Sequence, residues 1–221
     1  MNIIPNFVVF EGGDGSGTTT QLSLLTERLK NIKNLVFFPT FEPTDGPIGK
    51  LIRTALKKDS EFQPRTIALL FAADRNEHIN GAGGIISHIN QGGLVVSDRY
   101  VLSSLVYQGI ECGDELPQSL NCGYPAPETL IFFDIEPEAA LKRMKNRVSY
   151  EIYEYLEFQI KVREKYLSLL DIYRSAGVHV EIIDAGKNTQ EVADQVWSVL
   201  SKMPIFDSFK NIIKIEKKLS R

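Results

Sequence analysis

The chain has 221 residues, 43% hydrophobic and 24% charged, which suits one compact α/β domain with room for a mobile insertion. A net charge of −3 and a pI of about 5.7 argue against a nucleic-acid binder working by bulk positive charge, and small anions are the better-matched ligands. No apolar run reaches membrane-spanning length, Met1 to Pro5 lacks the regions of a secretion signal, and the two cysteines, Cys112 and Cys122, share one loop-like stretch at a spacing that matches no metal or redox motif. A cytoplasmic protein with reduced thiols, no membrane contact and no nucleic-acid partner is expected.

Phe7-Val8-Val9-Phe10 is a β-branched and aromatic run that suits a buried strand, and glycines follow it at once. From Gly17 onward Leu22, Leu24, Leu25 and Leu29 recur near helical spacing, so the stretch Phe10 to Gln21 marks a strand handing over to a helix N-terminus. Free N–H groups of the first turn and the positive end of the helix dipole make that place an anion site, and glycines let the backbone close around phosphate oxygens. The spacing matches a P-loop, G-x-x-x-x-G-K-[ST], with Gly12, Gly17 and Thr19 in register. The lysine position holds Thr18, a neutral hydroxyl that cannot act as a point charge on phosphate oxygens.

Leu35 to Phe38 reads as a second strand and Pro39 to Pro47 as a loop at its C-terminal end, where α/β sheets bind ligands. Helices are expected over Ile48 to Leu56, carrying Arg53, and over Gln63 to Ile79, with the Gly81-Ala82-Gly83-Gly84 cluster breaking the second before a shorter helix. Leu94 to Ser97 is the third strand and delivers Asp98-Arg99-Tyr100, a carboxylate suited to Mg²⁺ and an arginine suited to bridging phosphates. Ser103 to Gly109 reads as a short helix and residues 110–128 as an irregular connection. Thr129 to Asp134 is the fourth strand, followed by a helix opening at Pro137 with Lys142, Arg143, Lys145 and Arg147, and, after an interruption near Ser149, a helix over Ile152 to Tyr173. Val178 to Asp184 is the fifth strand, and a last helix runs to Leu200 with Trp197 in the core. Five strands alternating with helices predict a five-stranded parallel, doubly wound sheet covered on both faces. After Pro204, apolar residues mix with lysines, and an amphipathic helix packing on the body or a partner is expected over 205–221.

Phe10 to Gln21, Glu42-Pro43, Leu69 to Arg75 and Asp98 through Gly109, in this order, resemble the thymidylate kinase family of P-loop nucleoside monophosphate kinases, across nearly the whole chain up to about Leu200. The resemblance implies the P-loop nucleoside triphosphate hydrolase fold in a single kinase domain of residues 1–204 with a helical lid at about 143–156. It implies phosphoryl transfer from ATP to dTMP, giving dTDP and ADP in dTTP synthesis, with Mg²⁺ and in a homodimer. Carried onto this chain, it puts Gly12, Gly13, Asp14, Gly15, Ser16, Gly17, Thr18, Thr19, Thr20, Arg143 and Lys187 at ATP. It puts Glu42, Pro43 and Arg53 on the acceptor side, Phe71 on the thymine ring and Arg75 on the acceptor 5′-phosphate. Asp14 then lies near the acceptor's sugar or phosphate, Ser104 and Gln108 near the base, and Tyr107 where a 2′-hydroxyl would clash. Thr19 and Asp98 would serve Mg²⁺, and Arg99 would lie between the two phosphate sites.

The chain departs from the family pattern in four places. Thr18 replaces the P-loop lysine. Gly15 and Ile152 stand at the two positions from which the family supplies a catalytic arginine. Phe41 stands where many relatives have an arginine before Glu-Pro, with Arg53 nearby to cover it, and the Gly81 to Gly84 cluster interrupts a usually regular helix. Arg143, Lys145 and Arg147 are the nearest replacement cations by sequence, and Arg147 is expected to turn inward on lid closure. Two other readings stay open: a nucleotide-binding homologue with impaired catalysis and a regulatory or partner role, and a kinase for another deoxynucleoside monophosphate.

Overall fold

A computed structural model of the protein describes residues 1–57, 61–144 and 156–209. Its centre is β1 (Ile3–Glu11), flanked by β3 (Leu94–Asp98) on one side and β4 (Ala126–Asp134) on the other; β2 (Phe37–Phe41) and β5 (His179–Asp184) form the edges. All the pairings are parallel, in the order β2-β3-β1-β4-β5. The helices are α1 (Thr18–Leu29), α2 (Pro47–Ala55), α3 (Pro64–Asn80), α4 (Ile85–Asn90), α5 (Val101–Cys112), α6 (Glu115–Asn121), α7 (Pro137–Met144), α8 (Leu156–Ser175) and α9 (Thr189–Leu200).

The two-residue period of a strand explains the double covering. Val8 and Phe10 enter one core cluster with Leu22, Leu25, Val192 and Trp197, whereas Phe7 and Val9 point into another with Ile79, Ile85 and Tyr100. In β4, Ile131 and Phe133 join the α1 and α9 side, and Leu130 and Phe132 join Ile67, Val106, Val162 and Tyr166 on the other. Loops at the C-terminal ends of β1 and β3 therefore open where the chain diverges to either side of β1, the usual ligand edge of such sheets.

Helix boundaries follow their chemistry. Pro47 and Pro64 open α2 and α3 at positions where no hydrogen bond is lost, Gly81 to Gly84 separates α3 from α4, and the Asn188 side chain accepts a bond from the Glu191 N–H at the start of α9. Three expectations change. Pro39, Thr40 and Phe41 belong to β2, not to a loop: β2 is an edge strand, and a proline is tolerated there. Residues 110–128 are more regular than expected, since α5 runs to Cys112, α6 occupies Glu115–Asn121 and β4 begins at Ala126. β1 begins at Ile3, because Ile4 is buried against the α3–α4 side.

Arg147, Ile152 and most of the expected lid lie outside the described residues, as does the tail beyond Phe209. The first turn of that tail, Pro204–Phe209, is a 3-10 helix that docks on the body: Phe206 is fully buried with its ring 5.3 Å from Trp197, edge to face. Cys112 and Cys122 are free thiols. Among the described residues no helix is long and apolar enough to cross a membrane.

Phe206→Ala should lower the unfolding free energy by about 3–5 kcal/mol, because its cavity opens beneath α9. Urea unfolding followed by the fluorescence of Trp197, the single tryptophan, measures it directly.

Candidate active site

The loop between β1 and α1 has the conformation an anion cradle needs. Gly17, just before α1, has φ +94° and no side chain caps the helix, so the N–H groups of the first turn face outward. Gly15 has φ +81°, and a Cβ there would come within 2.7 Å of the Ala140 carbonyl oxygen. Thr18 is buried at the first position of α1. Thr19 follows, and its hydroxyl donates to Asp98 Oδ2 at 2.6 Å. Asp98 Oδ1 is buried with no protein partner. A hydroxyl and a carboxylate with one oxygen unsatisfied are hard oxygen donors of the kind Mg²⁺ takes alongside phosphate oxygens.

On the donor side, Gly15, Ser16, Gly17, Thr20, Arg143, Lys187, Asn188 and Thr189 line one cleft of about 410 Å³. The Arg143 guanidinium lies 3.4 Å from the carbonyls of Gly186 and Lys187. Arg143 and Lys187 thus share one cleft with Gly15, Ser16, Gly17 and Thr20 of the loop and the start of α1.

Asp14 is the hub on the other side. Its Oδ1 accepts from Arg99 Nη2 at 2.5 Å and from the Tyr107 hydroxyl at 3.2 Å. Burial pushes the Tyr107 hydroxyl well up from its ordinary pKa, so it stays a neutral donor, with Arg99 pulling the other way. Gln159 on α8 clasps the same residue twice, its Nε2 donating to Asp14 Oδ2 at 2.9 Å and its Oε1 accepting from the Asp14 N–H at 3.2 Å. Arg99 also lies over the Tyr107 ring, 5.0 Å from its centroid. Nothing in the sequence singled out Gln159. It sits mid-helix, and only the return of α8 across the sheet brings it to the loop.

Glu42 follows β2 and is buried with Arg75 of α3, whose Nε and Nη2 donate to Glu42 Oε2 at 2.9 and 2.6 Å. Arg75 further donates to Asn121 Oδ1, the Tyr100 carbonyl at 3.1 Å and Ser104 Oγ at 3.0 Å. His78 Nδ1 lies 3.0 Å from Glu42 Oε1, and its Nε2 is 2.6 Å from Thr40 Oγ1. The Arg75 side chain is 1% exposed and ties α3 to α5 and α6 beside Ser104. The Pro43 to Asp45 turn is held by Thr44, which donates to both oxygens of Asp74 at 2.7 Å, and by Arg53, which donates to the Thr44 and Pro43 carbonyls at 2.6 and 2.5 Å. Arg53 also lies over the exposed Phe41 ring, 5.8 Å from its centroid. Phe71 is half-buried, packed by one side on the cluster around Ile67 and Val106, and Gln108 is buried with Oε1 unpaired.

Beneath the loop, Glu11 is fully buried. Burial pushes its carboxyl up to about 7, while the Ser103 hydroxyl, Arg99 and Tyr166 pull it down.

A family model described as Thymidylate kinase matches residues 10–196. A protein of Treponema pallidum named putative thymidylate kinase is 42% identical over 199 residues, covering 89% of this chain and 95% of that one. Proteins named probable thymidylate kinase from Pyrobaculum aerophilum and Methanococcus vannielii are 38% and 39% identical, covering 90% and 86% of this chain and 98% and 92% of their own lengths.

Two substitutions test the buried charges. Glu42→Gln keeps the shape but leaves Arg75 without a counter-charge, and urea unfolding should show a loss of about 3 kcal/mol. Between pH 4.5 and about 7 the folded chain holds a proton on Glu11 that the unfolded chain has released. That stability is complete below about 4.5 and is lost as pH rises through about 7. Glu11→Gln has no such proton, so its stability relative to the wild type should rise between pH 5 and 8 by on the order of 3 kcal/mol.

Proposed function

The chain belongs to the thymidylate kinase family, and we propose that it transfers the terminal phosphoryl group of ATP to dTMP, giving dTDP and ADP. The observation that carries this reading is the single line of groups from the donor cleft through the uncapped start of α1 and the Thr19–Asp98 pair to Arg99 and Asp14. It joins a place for a nucleoside triphosphate to a place for a second nucleotide.

In this reading the N–H groups from Gly12 to Thr19 cradle the donor phosphates, and Arg143 and Lys187 flank the donor nucleotide. Thr19 and Asp98 would hold Mg²⁺, which when bound draws negative charge from the phosphate oxygens. Across the line, Phe71 offers its free ring face to the thymine, Ser104 and Gln108 bound the base pocket, and Tyr107 with Asp14 closes the sugar side against a 2′-hydroxyl. Glu42, Pro43 and Arg53 shape the acceptor wall, and Arg53 is the cation closest to the Pro43 to Asp45 turn. Arg99, bonded to Asp14 with 24% of its side chain exposed, is suited to bridge the two phosphates. Reaction then rests on positioning and charge neutralisation, since little covalent help is needed.

Residues 1–204 act as one kinase domain with its lid at about 143–156, from which Arg147 serves as a cation for the transferring group, and the residues after Pro204 begin an extension in which Phe206 packs on Trp197. Exposed Leu51 on α2 and Leu69 on α3 support a homodimer through that side.

A coupled assay of dTDP formation tests the reading. Wild-type protein should turn over with ATP, dTMP and Mg²⁺ and stop when EDTA is added. Arg147→Ala should cost about a hundredfold in kcat, the typical loss for one charge-stabilising contact. Phe71→Ala should raise the KM for dTMP about tenfold through lost stacking. Tight dTMP binding without turnover, with turnover appearing in Thr18→Lys, would instead identify a binding protein on a kinase fold.

A further inference from the structure

Glu11 ends β1 directly before the glycine loop, and no step described above uses it. Its carboxylate is nonetheless the most heavily bonded buried acid at the site. Oε1 accepts from the backbone N–H groups of Tyr100 at 3.0 Å and Ser103 at 3.2 Å. Oε2 accepts from the Ser103 hydroxyl at 2.6 Å and from the Tyr166 hydroxyl of α8 at 2.9 Å. Tyr100 is the residue before α5, and α5 has no capping side chain of its own. A strand residue nearly ninety positions away thus supplies the oxygen that a serine or aspartate at the helix start would normally provide.

The turn that this cap secures is unusual. Arg99, immediately before Tyr100, has φ +71°, a left-handed conformation that a residue with a long side chain rarely adopts. Such a conformation persists only where its surroundings over-determine it. Here the Arg99 N–H donates to the Phe10 carbonyl at 2.8 Å, and the Ser97 hydroxyl donates to the Arg99 carbonyl at 2.7 Å. The next N–H along the chain goes to Glu11. Phe10 and Glu11, consecutive on β1, therefore hold both sides of the turn, and the turn aims the Arg99 guanidinium at Asp14.

We propose that Glu11 is a positioning residue for phosphoryl transfer: by capping α5 from β1 it fixes the left-handed turn at Arg99 and so holds that guanidinium over the glycine loop. The inference rests on reading Arg99 as the contact between the two phosphates. Glutamine can reproduce the arrangement, its Oε1 accepting from the two N–H groups and its Nε2 donating to Ser103 and Tyr166. Leucine fills the same space and leaves both N–H groups without an acceptor.

The test is a double-mutant cycle with Arg99→Ala, read in kcat and in calorimetric Kd for dTMP. Glu11→Leu should lower kcat at least tenfold in the wild-type background and less than twofold in Arg99→Ala, while Glu11→Gln restores most of the loss. Tyr166→Phe, which removes the α8 hydroxyl with its bonds to Glu11 and Ser103 and leaves both N–H bonds to Glu11, should repeat the pattern at two- to fivefold and stands in if Glu11→Leu does not fold. Equal losses in both backgrounds would reduce Glu11 to a purely structural role and overturn the inference. Unchanged kcat and Kd in Arg99→Ala would overturn it through its premise. If the wild type makes no dTDP, the kinase reading fails, but the same non-additivity in Kd still decides this inference.

Discussion

Buried charge has to be compensated where it lies, and that requirement assembles the working edge of this protein. Acidic side chains stand at the C-terminal end of each of the three strands on this side of the sheet, and each meets a different answer. Glu11, after β1, is met by two backbone N–H groups and two hydroxyls. Glu42, after β2, is met by Arg75 and His78. Asp98, at the end of β3, meets Thr19 through one oxygen and has the other unsatisfied. Asp14 in the loop above is met by Arg99, Tyr107 and Gln159. The first two answers are complete and lock elements together. Of these four, Asp98 is the one with a buried oxygen that no protein group meets, so complete and incomplete compensation stand at neighbouring strand ends.

The fold was legible because its signals are local. Val8 and Phe10 alternate with Phe7 and Val9, and that period with its flanking glycines already implies a strand buried on both faces. Prolines at Pro47 and Pro64 and glycines at Gly81 to Gly84 mark helix ends through backbone restrictions that do not depend on the rest of the chain. Misreadings fell where tertiary context outweighs such signals. Pro39 looks like a loop residue until β2 is known to lie at an edge, and the glycine and proline content of 110–128 concealed α6, whose Asn121 is fixed by a distant arginine.

The site was legible in its outline and not in its wiring. A glycine loop at helix spacing, and Asp98-Arg99 at a strand end, can be read from residue types because the chemistry demands those types. Arg75 shows what residue type leaves out: its burial against Glu42, with donors engaged to Asn121 and Ser104, is visible only in the fold. Gln159 and Glu11 left no distinctive pattern, since a glutamine mid-helix and a glutamate ending a strand are ordinary. Their partners lie from 89 to 155 positions away, and only the folded sheet brings them within bonding distance.

The same geometry bears on the two cations that the loop and lid positions lack. An arginine in place of Gly15 would need a residue with a Cβ at φ +81°, within 2.7 Å of the Ala140 carbonyl, so α7 packs too closely for the loop to carry that charge in this arrangement. Thr18 is buried at the start of α1, and its neutral hydroxyl leaves the helix dipole and backbone N–H groups as the loop's own positive contribution. The remaining charge must come from beyond the loop. Among the described residues, Arg143 and Lys187 border the donor cleft, and Arg99 reaches the loop from the acceptor side through Asp14. These charges reach the loop from different elements, α7 and the turn after β5 in one case and the turn before α5 in the other. A site built that way depends on holding its elements in register, which is what the clasp of Gln159 on Asp14 and the cap of Glu11 on α5 provide.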